Sequence, residues 1–119
     1  MQLSDNSLPT YLYSEVVVYG TVAGASASVN QPKRNSEVDI NEETIGAEST
    51  LRAGSYKDEK TGNVIAYNDF LFRHQNMLGY LYARYPAGSS ISSRTVIEIG
   101  KKMLNRMQVG QFVMPTATK

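Results

Sequence analysis

The side chains that most often carry catalysis are sparse in this sequence. Histidine occurs once, at His74, and there is no cysteine. The missing cysteines exclude disulfides, thiolate nucleophiles and cysteine-ligated zinc, and one histidine cannot by itself form a triad or a metal site. The adjacent acids Glu42 and Glu43, like Asp58 and Glu59, lie in polar stretches typical of loops. No burial is expected there to raise a carboxyl pKa towards a catalytic value.

The glycine-containing stretch GTVAG at residues 20–24 does not match a phosphate-binding loop. It lacks the Lys-Ser/Thr pair of that motif, and the residues after it show no clear helical period. We therefore expect a protein that is not an enzyme and that uses no metal, no cofactor and no small-molecule substrate.

Tyrosines and arginines form a constellation of another kind. Single-stranded nucleic acid is bound by guanidinium groups that contact phosphate and by flat rings that stack on bases. The same residue types also serve as core, interface and solvated surface, but alternate positions on paired strands would bring them onto one open sheet face. The predicted RNA-binding residues are Arg52, Tyr67, Arg73, Tyr80, Tyr82 and Arg84, with Tyr56 in the same constellation.

Charge is divided unevenly along the chain. Residues 61–119 hold seven basic and two acidic side chains, whereas residues 1–60 hold five basic and nine acidic ones, and the whole chain has a net charge of +1. Binding of a polyanion depends on local charge beside stacking surfaces rather than on the global balance. The second half is therefore the better candidate for such a partner.

Length and composition predict one folded domain over residues 1–119. The chain is 41% hydrophobic and 19% charged, which is ordinary for a globular protein. Its first residues, MQLSDNS, lack the basic and apolar regions of a signal peptide. The longest apolar run, residues 16–19, is far shorter than the roughly 20 residues of a membrane-spanning helix. We expect a soluble protein made in the cytoplasm, with no membrane partner.

The elements that must position the constellation are mostly strands. Residues 11–22 are rich in Tyr and Val and predict a strand bent at Gly20. Residues 23–31 show no hydrophobic period, and residues 37–48 are typical of a solvated loop or an edge strand. Residues 49–57 and 63–72 predict a hairpin with Gly62 at a positive φ. Residues 73–85 fit either a strand or a helix that begins near residue 69, and six aromatics between residues 67 and 85 together with Gly79 favour the strand.

An amphipathic helix is predicted from about Ser93 to Met107. Ser92 or Ser93 can cap it, and Gly100 on its apolar side costs about 1 kcal/mol relative to alanine, which suggests close packing against another backbone. Its polar side is expected to be solvated. The residues predicted to pack the helix, including across a dimer, are Val96, Ile99, Gly100, Met103, Leu104 and Met107.

From residue 49 onward the order of elements resembles the coat proteins of single-stranded RNA bacteriophages. The likeness rests on the strand–turn–strand–strand order, the stretch FLFRH at residues 70–74, the RYPAGSSISSRT boundary at residues 84–95 and the helix that follows. The resemblance implies an α+β fold in which an antiparallel β-sheet, an N-terminal strand plus a meander, is followed by one or two C-terminal α-helices in an interlocked dimer. It further implies dimers that assemble into an icosahedral shell, package single-stranded RNA on the inner sheet face and reside in the virion.

Two other hypotheses remain open at this point. In the first, residues 69–85 and 93–107 form a helix–turn–helix, and the protein is a small DNA-binding regulator. In that case the residues that contact the DNA duplex would be Arg94, Lys101, Lys102 and Arg106. In the second, the chain is another virion component that makes no contact with RNA.

Overall fold

The computed structural model describes residues 10–34 and 37–109, which form an antiparallel sheet with a helix on each face. The elements are β1 (Tyr11–Val18), α1 (Val22–Val29), β2 (Val38–Asp39), β3 (Glu48–Lys57), β4 (Val64–His74), β5 (Met77–Pro86) and α2 (Ser93–Gln108). The strand order in the sheet is β1-β5-β4-β3-β2. The α+β fold with an N-terminal strand, a meander and a C-terminal helix is confirmed. Residues 110–119, including the apolar stretch 111–115, lie outside the described residues.

The meander β3–β4–β5 settles the ambiguity over residues 73–85. Residues 73 and 74 end β4, Gln75 and Asn76 form a tight turn in which Gln75 has φ 55°, and β5 returns antiparallel from Met77. The strand interpretation is therefore confirmed, and the helical alternative, with the helix–turn–helix built on it, is wrong. Alternating burial along both strands explains the result, since aromatic and apolar side chains face the core at every second position. In the β3–β4 turn, Gly62 has the expected positive φ, at 79°.

The N-terminal strand is shorter than predicted. It ends at Val18, and residues 22–29 form α1, where the sequence predicted first the end of a bent strand and then an irregular stretch. Thr21 caps this helix by accepting a hydrogen bond from the Gly24 N–H at 3.0 Å. The helix was missed because its residues are nearly all small, so the two that are buried, Ala25 and Val29, leave almost no periodic signal.

The acidic stretch 37–48 is more ordered than a solvated loop. Ile45 is buried and Ile40 packs against the same core cluster, so these two isolated apolar residues anchor the segment. Glu37 is only 6% exposed. The predicted edge strand is present, but it consists of two residues, β2. The prediction of a solvated loop or edge strand is therefore confirmed for most of the segment, while the buried Ile45 and Glu37 anchor it to the rest of the fold.

Helix α2 lies across β4 and β5 and closes the core. It runs from Ser93 to Gln108 with Ser92 as its N-cap, and the Ser92 N–H donates to Thr95 Oγ1 at 3.3 Å. Of the predicted packing residues, Val96, Gly100, Leu104 and Met107 are buried, while Ile99 and Met103 are partly buried at the margin of the core. Ile97, which the prediction left out, is fully buried. In this structure the stripe packs on the chain's own sheet, and helix packing across a dimer stays a prediction.

Gly100 marks the closest approach of α2 to the sheet. A Cβ built on it would lie 2.6 Å from Cε2 of Phe70, whose side chain is fully buried. The close packing predicted from the helical glycine is thus present, but it is made against an aromatic ring of β4 rather than against another backbone.

Candidate nucleic-acid interface

The sheet face opposite α2, here called the tyrosine face, carries all six residues predicted to bind RNA. Cross-strand partners lie on the same face of a sheet, and the register pairs Tyr67 with Arg84, Asp69 with Tyr82, and Arg52 with Asp69. Tyr80 and Arg73 follow at two-residue intervals on β5 and β4. Strand alternation therefore brings the constellation together, and α1 covers one end of the face through contacts with β3, β4 and β5.

Four tyrosines from four different strands form a continuous line of ring contacts, here called the tyrosine row. The ring centroids of Tyr11 and Tyr82 are 6.3 Å apart, those of Tyr82 and Tyr67 are 6.0 Å apart, and those of Tyr67 and Tyr56 are 6.5 Å apart. Tyr11 and Tyr56, at the two ends, are nearly half exposed. The row crosses β1, β5, β4 and β3 in turn, and its central rings, those of Tyr82 and Tyr67, are partly buried.

A glycine in β3 makes room for the centre of the row. Gly54 pairs directly with Tyr67, and a Cβ at position 54 would lie 2.5 Å from the phenol Cζ and Oη of that tyrosine. The ring of Tyr67 therefore lies over the backbone of β3. This placement brings it within reach of Tyr56 on the far side.

Two of the three predicted arginines are held by acids within the chain. Arg52 donates from Nε to Asp39 Oδ1 at 3.3 Å and from its terminal nitrogen to the Gln31 carbonyl, and its side chain is 13% exposed. Arg73 donates from Nε to Glu48 Oε2 at 2.6 Å and is 15% exposed. Their guanidinium groups fix the N-terminal half against the sheet, and they have little surface left for a phosphate.

Arg84 is the arginine placed beside the rings. Its Cζ lies 4.8 Å from the centroid of Tyr11, a cation–π distance. Tyr11 and Tyr67 lie directly across from it on the two neighbouring strands. Arg84 is therefore the predicted arginine that lies next to the tyrosine row.

The phenols of Tyr67 and Tyr80 are held in the protonated form. Burial raises the pKa of Tyr80. The hydrogen bond that the Tyr80 hydroxyl donates to Asp69 Oδ1, at 2.8 Å, raises it further. Burial likewise raises the pKa of Tyr67, whose hydroxyl donates to Glu37 Oε2 at 2.8 Å. Burial alone would raise the pKa of Glu37. Hydrogen bonds from the Arg34 backbone N–H and the Tyr67 hydroxyl outweigh this effect and lower the pKa. The rings of Tyr67 and Tyr80 are therefore neutral, and Glu37 beside Tyr67 is charged.

Tyr11 and Tyr13 belong to the face but were not among the predicted site residues. Their spacing of two residues on a strand places both on one side, and Tyr13 contacts Tyr80 with a centroid distance of 6.1 Å. The Tyr13 hydroxyl also donates to Glu15. The alternation in YLYSE could have indicated a shared face, but the partner strand β5 could not be inferred from the sequence.

The basic side of α2 is solvated, as predicted, and two of its cations also contact carboxylates of the acidic N-terminal half. Arg94 contacts Glu43 at 2.7 Å and Glu98 at 2.7 Å, and Lys101 contacts Glu43 at 2.9 Å. Lys102 and Arg106 have no ion pair among residues 10–34 and 37–109. Two of the four residues assigned to DNA reading are thus held by carboxylates.

Comparison with protein-family models, with curated proteins and with solved structures found no match. Within the part of the chain that the structure describes, no helix is long and apolar enough to cross a membrane. The same residues contain no cluster of three or more potential metal ligands.

Proposed function

We propose that this protein is a viral coat protein that assembles as dimers into an icosahedral shell and packages single-stranded RNA on the tyrosine face. The observation that carries the proposal is the tyrosine row on the sheet face opposite the main helix. Stacking on aromatic rings is how single-stranded RNA is bound without a duplex groove. In this proposal the partners are other copies of the chain and RNA, and the protein resides in the virion after synthesis in the host cytoplasm.

The tyrosine face offers more aromatic rings for stacking than cations for phosphate contact. Arg52 and Arg73 are paired with Asp39 and Glu48, and Asp69 lies among the rings. Base–aromatic stacking contributes about 1–3 kcal/mol per base by alanine substitution, so four rings can supply micromolar affinity with few ionic contacts. RNA would therefore be held by its bases, with Arg84 as the principal cation.

Self-assembly is supported by the edge of the sheet at β1. Among the described residues no strand pairs with the outer side of β1, and Leu12 and Val18 are exposed along it. A long exposed edge with apolar side chains favours pairing with another chain. A groove lined by Leu12, Ile91 and Ile99 runs between this edge and α2 and could take apolar side chains of a second copy.

A second candidate is a virion component that does not touch RNA. The ion pairs of Arg52 and Arg73 favour it, because they remove two of the three predicted phosphate contacts. Tyrosines are also enriched in protein interfaces, so the same row could contact a neighbouring subunit. The helix–turn–helix regulator is not retained as a candidate, since β4 and β5 occupy its first helix.

Size-exclusion chromatography with absorbance at 260 and 280 nm tests the proposal. The expected result for the purified protein is a particle far larger than the 13.2 kDa chain, with an absorbance ratio typical of nucleic acid that nuclease treatment of disrupted particles abolishes. Empty particles with a protein-like ratio would instead favour the component without RNA. A species of one or two chains, with no nucleic acid at any protein concentration, would overturn both.

A further inference from the structure

We infer that RNA crosses the strands rather than following them, with one base on each ring of the tyrosine row, so that one chain binds four nucleotides. This inference rests on the proposed function. It adds the path of the RNA, the number of nucleotides per chain and two contact residues. Tyr11 was not part of the sequence prediction, and Tyr56 was placed in the constellation but not among the predicted RNA-binding residues.

The ring spacing determines how the bases can be arranged. Neighbouring centroids in the row are 6.0–6.5 Å apart, and the rings are inclined to each other by 34–59°. Consecutive stacked bases along one strand are only about 3.4 Å apart. Bases on adjacent rings must therefore be unstacked from one another, which is the splayed state in which single-stranded RNA is read by aromatic side chains. Four rings then accept four consecutive bases.

The charges on the face determine which way the RNA runs. A path along β5 would pass Tyr80, which is flanked by Glu15 and by Asp69, the acceptor of its hydroxyl. Two carboxylates would then lie beside the phosphates, and like charges at this distance repel. The path along the row also meets two carboxylates, Asp69 across from Tyr82 and Glu37 at the Tyr67 hydroxyl. It avoids Glu15, however, and it keeps Arg84 between Tyr11 and Tyr67. The phosphates are expected on the Arg84 side of the row, away from Glu15.

Oligouridylates of two to eight nucleotides with a 5′ fluorescent label provide the test. Binding is measured by fluorescence anisotropy on protein from disrupted particles, after nuclease treatment has removed the packaged RNA. The affinity of the natural chain should rise with each nucleotide up to four and then level off. Tyr11→Ala and Tyr56→Ala should each move that limit to three nucleotides and weaken tetranucleotide binding about fivefold or more. Tyr11→Phe, which keeps the ring, should retain the limit of four.

Tyr13→Ala is the matched control. Tyr13 lies on the same strand and face as Tyr11 and is 42% exposed against 45%, but its ring contacts Tyr80 and lies outside the row. Its removal should leave the limit at four. Binding that is length-dependent but unaffected by Tyr11→Ala and Tyr56→Ala would overturn the crossing path while leaving RNA binding intact. Failure of the natural chain to bind any oligonucleotide would overturn the proposed function itself.

Discussion

Replacing Gly100 with alanine adds one methyl group where α2 lies closest to the sheet. The new Cβ would lie 2.6 Å from Cε2 and 2.9 Å from Cδ2 of Phe70, and 3.4 Å from Cδ1 of Ile45. The first two distances are well inside van der Waals contact. The Phe70 ring is fully buried and packs against Phe72 with a centroid distance of 5.2 Å, so it has no space into which to move.

Two effects of opposite sign decide the outcome. Alanine stabilises a helix interior by about 1 kcal/mol relative to glycine. Overpacking a rigid core costs about 1–3 kcal/mol, and contacts this short lie at the upper end of that range. We expect Gly100→Ala to lower the free energy of unfolding by about 1–2 kcal/mol, which for a domain of this size lowers Tm by roughly 4 °C per kcal/mol.

Urea unfolding followed by circular dichroism measures this change, at one fixed protein concentration because assembly also stabilises the fold. Asn105→Ala, on the exposed side of the same helix, should be neutral or slightly stabilising. Combining Gly100→Ala with Phe70→Leu should cost less than the two single changes together, with a coupling of about 0.5–3 kcal/mol. A Gly100→Ala variant more stable than the natural chain would refute the reasoning, since helix propensity would then outweigh the contact with Phe70.

Three further predictions concern pH, the tyrosine row and salt. Hydrogen bonds from Ser26 and Asn30 and from the Arg73 guanidinium lower the pKa of Glu48 from 4.5 to about 2. The contribution of ionised Glu48 to the free energy of unfolding is therefore complete above pH 4.5 and is lost as the pH falls towards 2. Glu48→Gln should accordingly make Tm depend less on pH in this range. A Tm that falls with acid as steeply as in the natural chain would contradict this. Gly54→Ala should displace the Tyr67 ring and weaken oligouridylate binding severalfold, whereas Gly20→Ala, with open space around position 20, should not. Because few phosphates meet a cation, log K should fall with log[salt] at a slope of about −0.7 to −1.4. A slope of about −2.1 to −2.8 would show that the two paired arginines also open to bind RNA.

The sequence was sufficient for elements whose pattern is strong and local. The apolar stripe of α2 and the alternation in residues 63–72 come from side chains that repeat at the period of their element. For residues 73–85 the pattern only favoured a strand over a helix. Helix α1 was missed because small residues carry little hydrophobic periodicity, and its stability depends on the buried contacts of Ala25 and Val29. The turn at Gln75 was also missed, since no glycine marks its positive φ.

The sequence was enough to predict that the site residues share one face of the sheet. It was not enough to predict which charges on that face are paired. Alternation along β4 and β5 placed Tyr67, Tyr80, Tyr82 and Arg84 together, as strand geometry requires. Tyr11 reached the row only because β1 pairs with β5, across nearly the whole length of the described chain. Such long-range pairing depends on the sum of many weak contacts, and no local pattern in residues 11–18 specifies it.

The distribution of charge separates most clearly what the sequence determines from what only the tertiary structure determines. The composition by itself determined that residues 1–60 are acidic and residues 61–119 are basic. It suggested a basic half available to a polyanion. Folding places Glu43 on Arg94 and Lys101, and Glu48 on Arg73. Opposite charges attract most strongly at contact distance, so the two halves largely neutralise each other. The surface that we propose to bind RNA is therefore mainly aromatic.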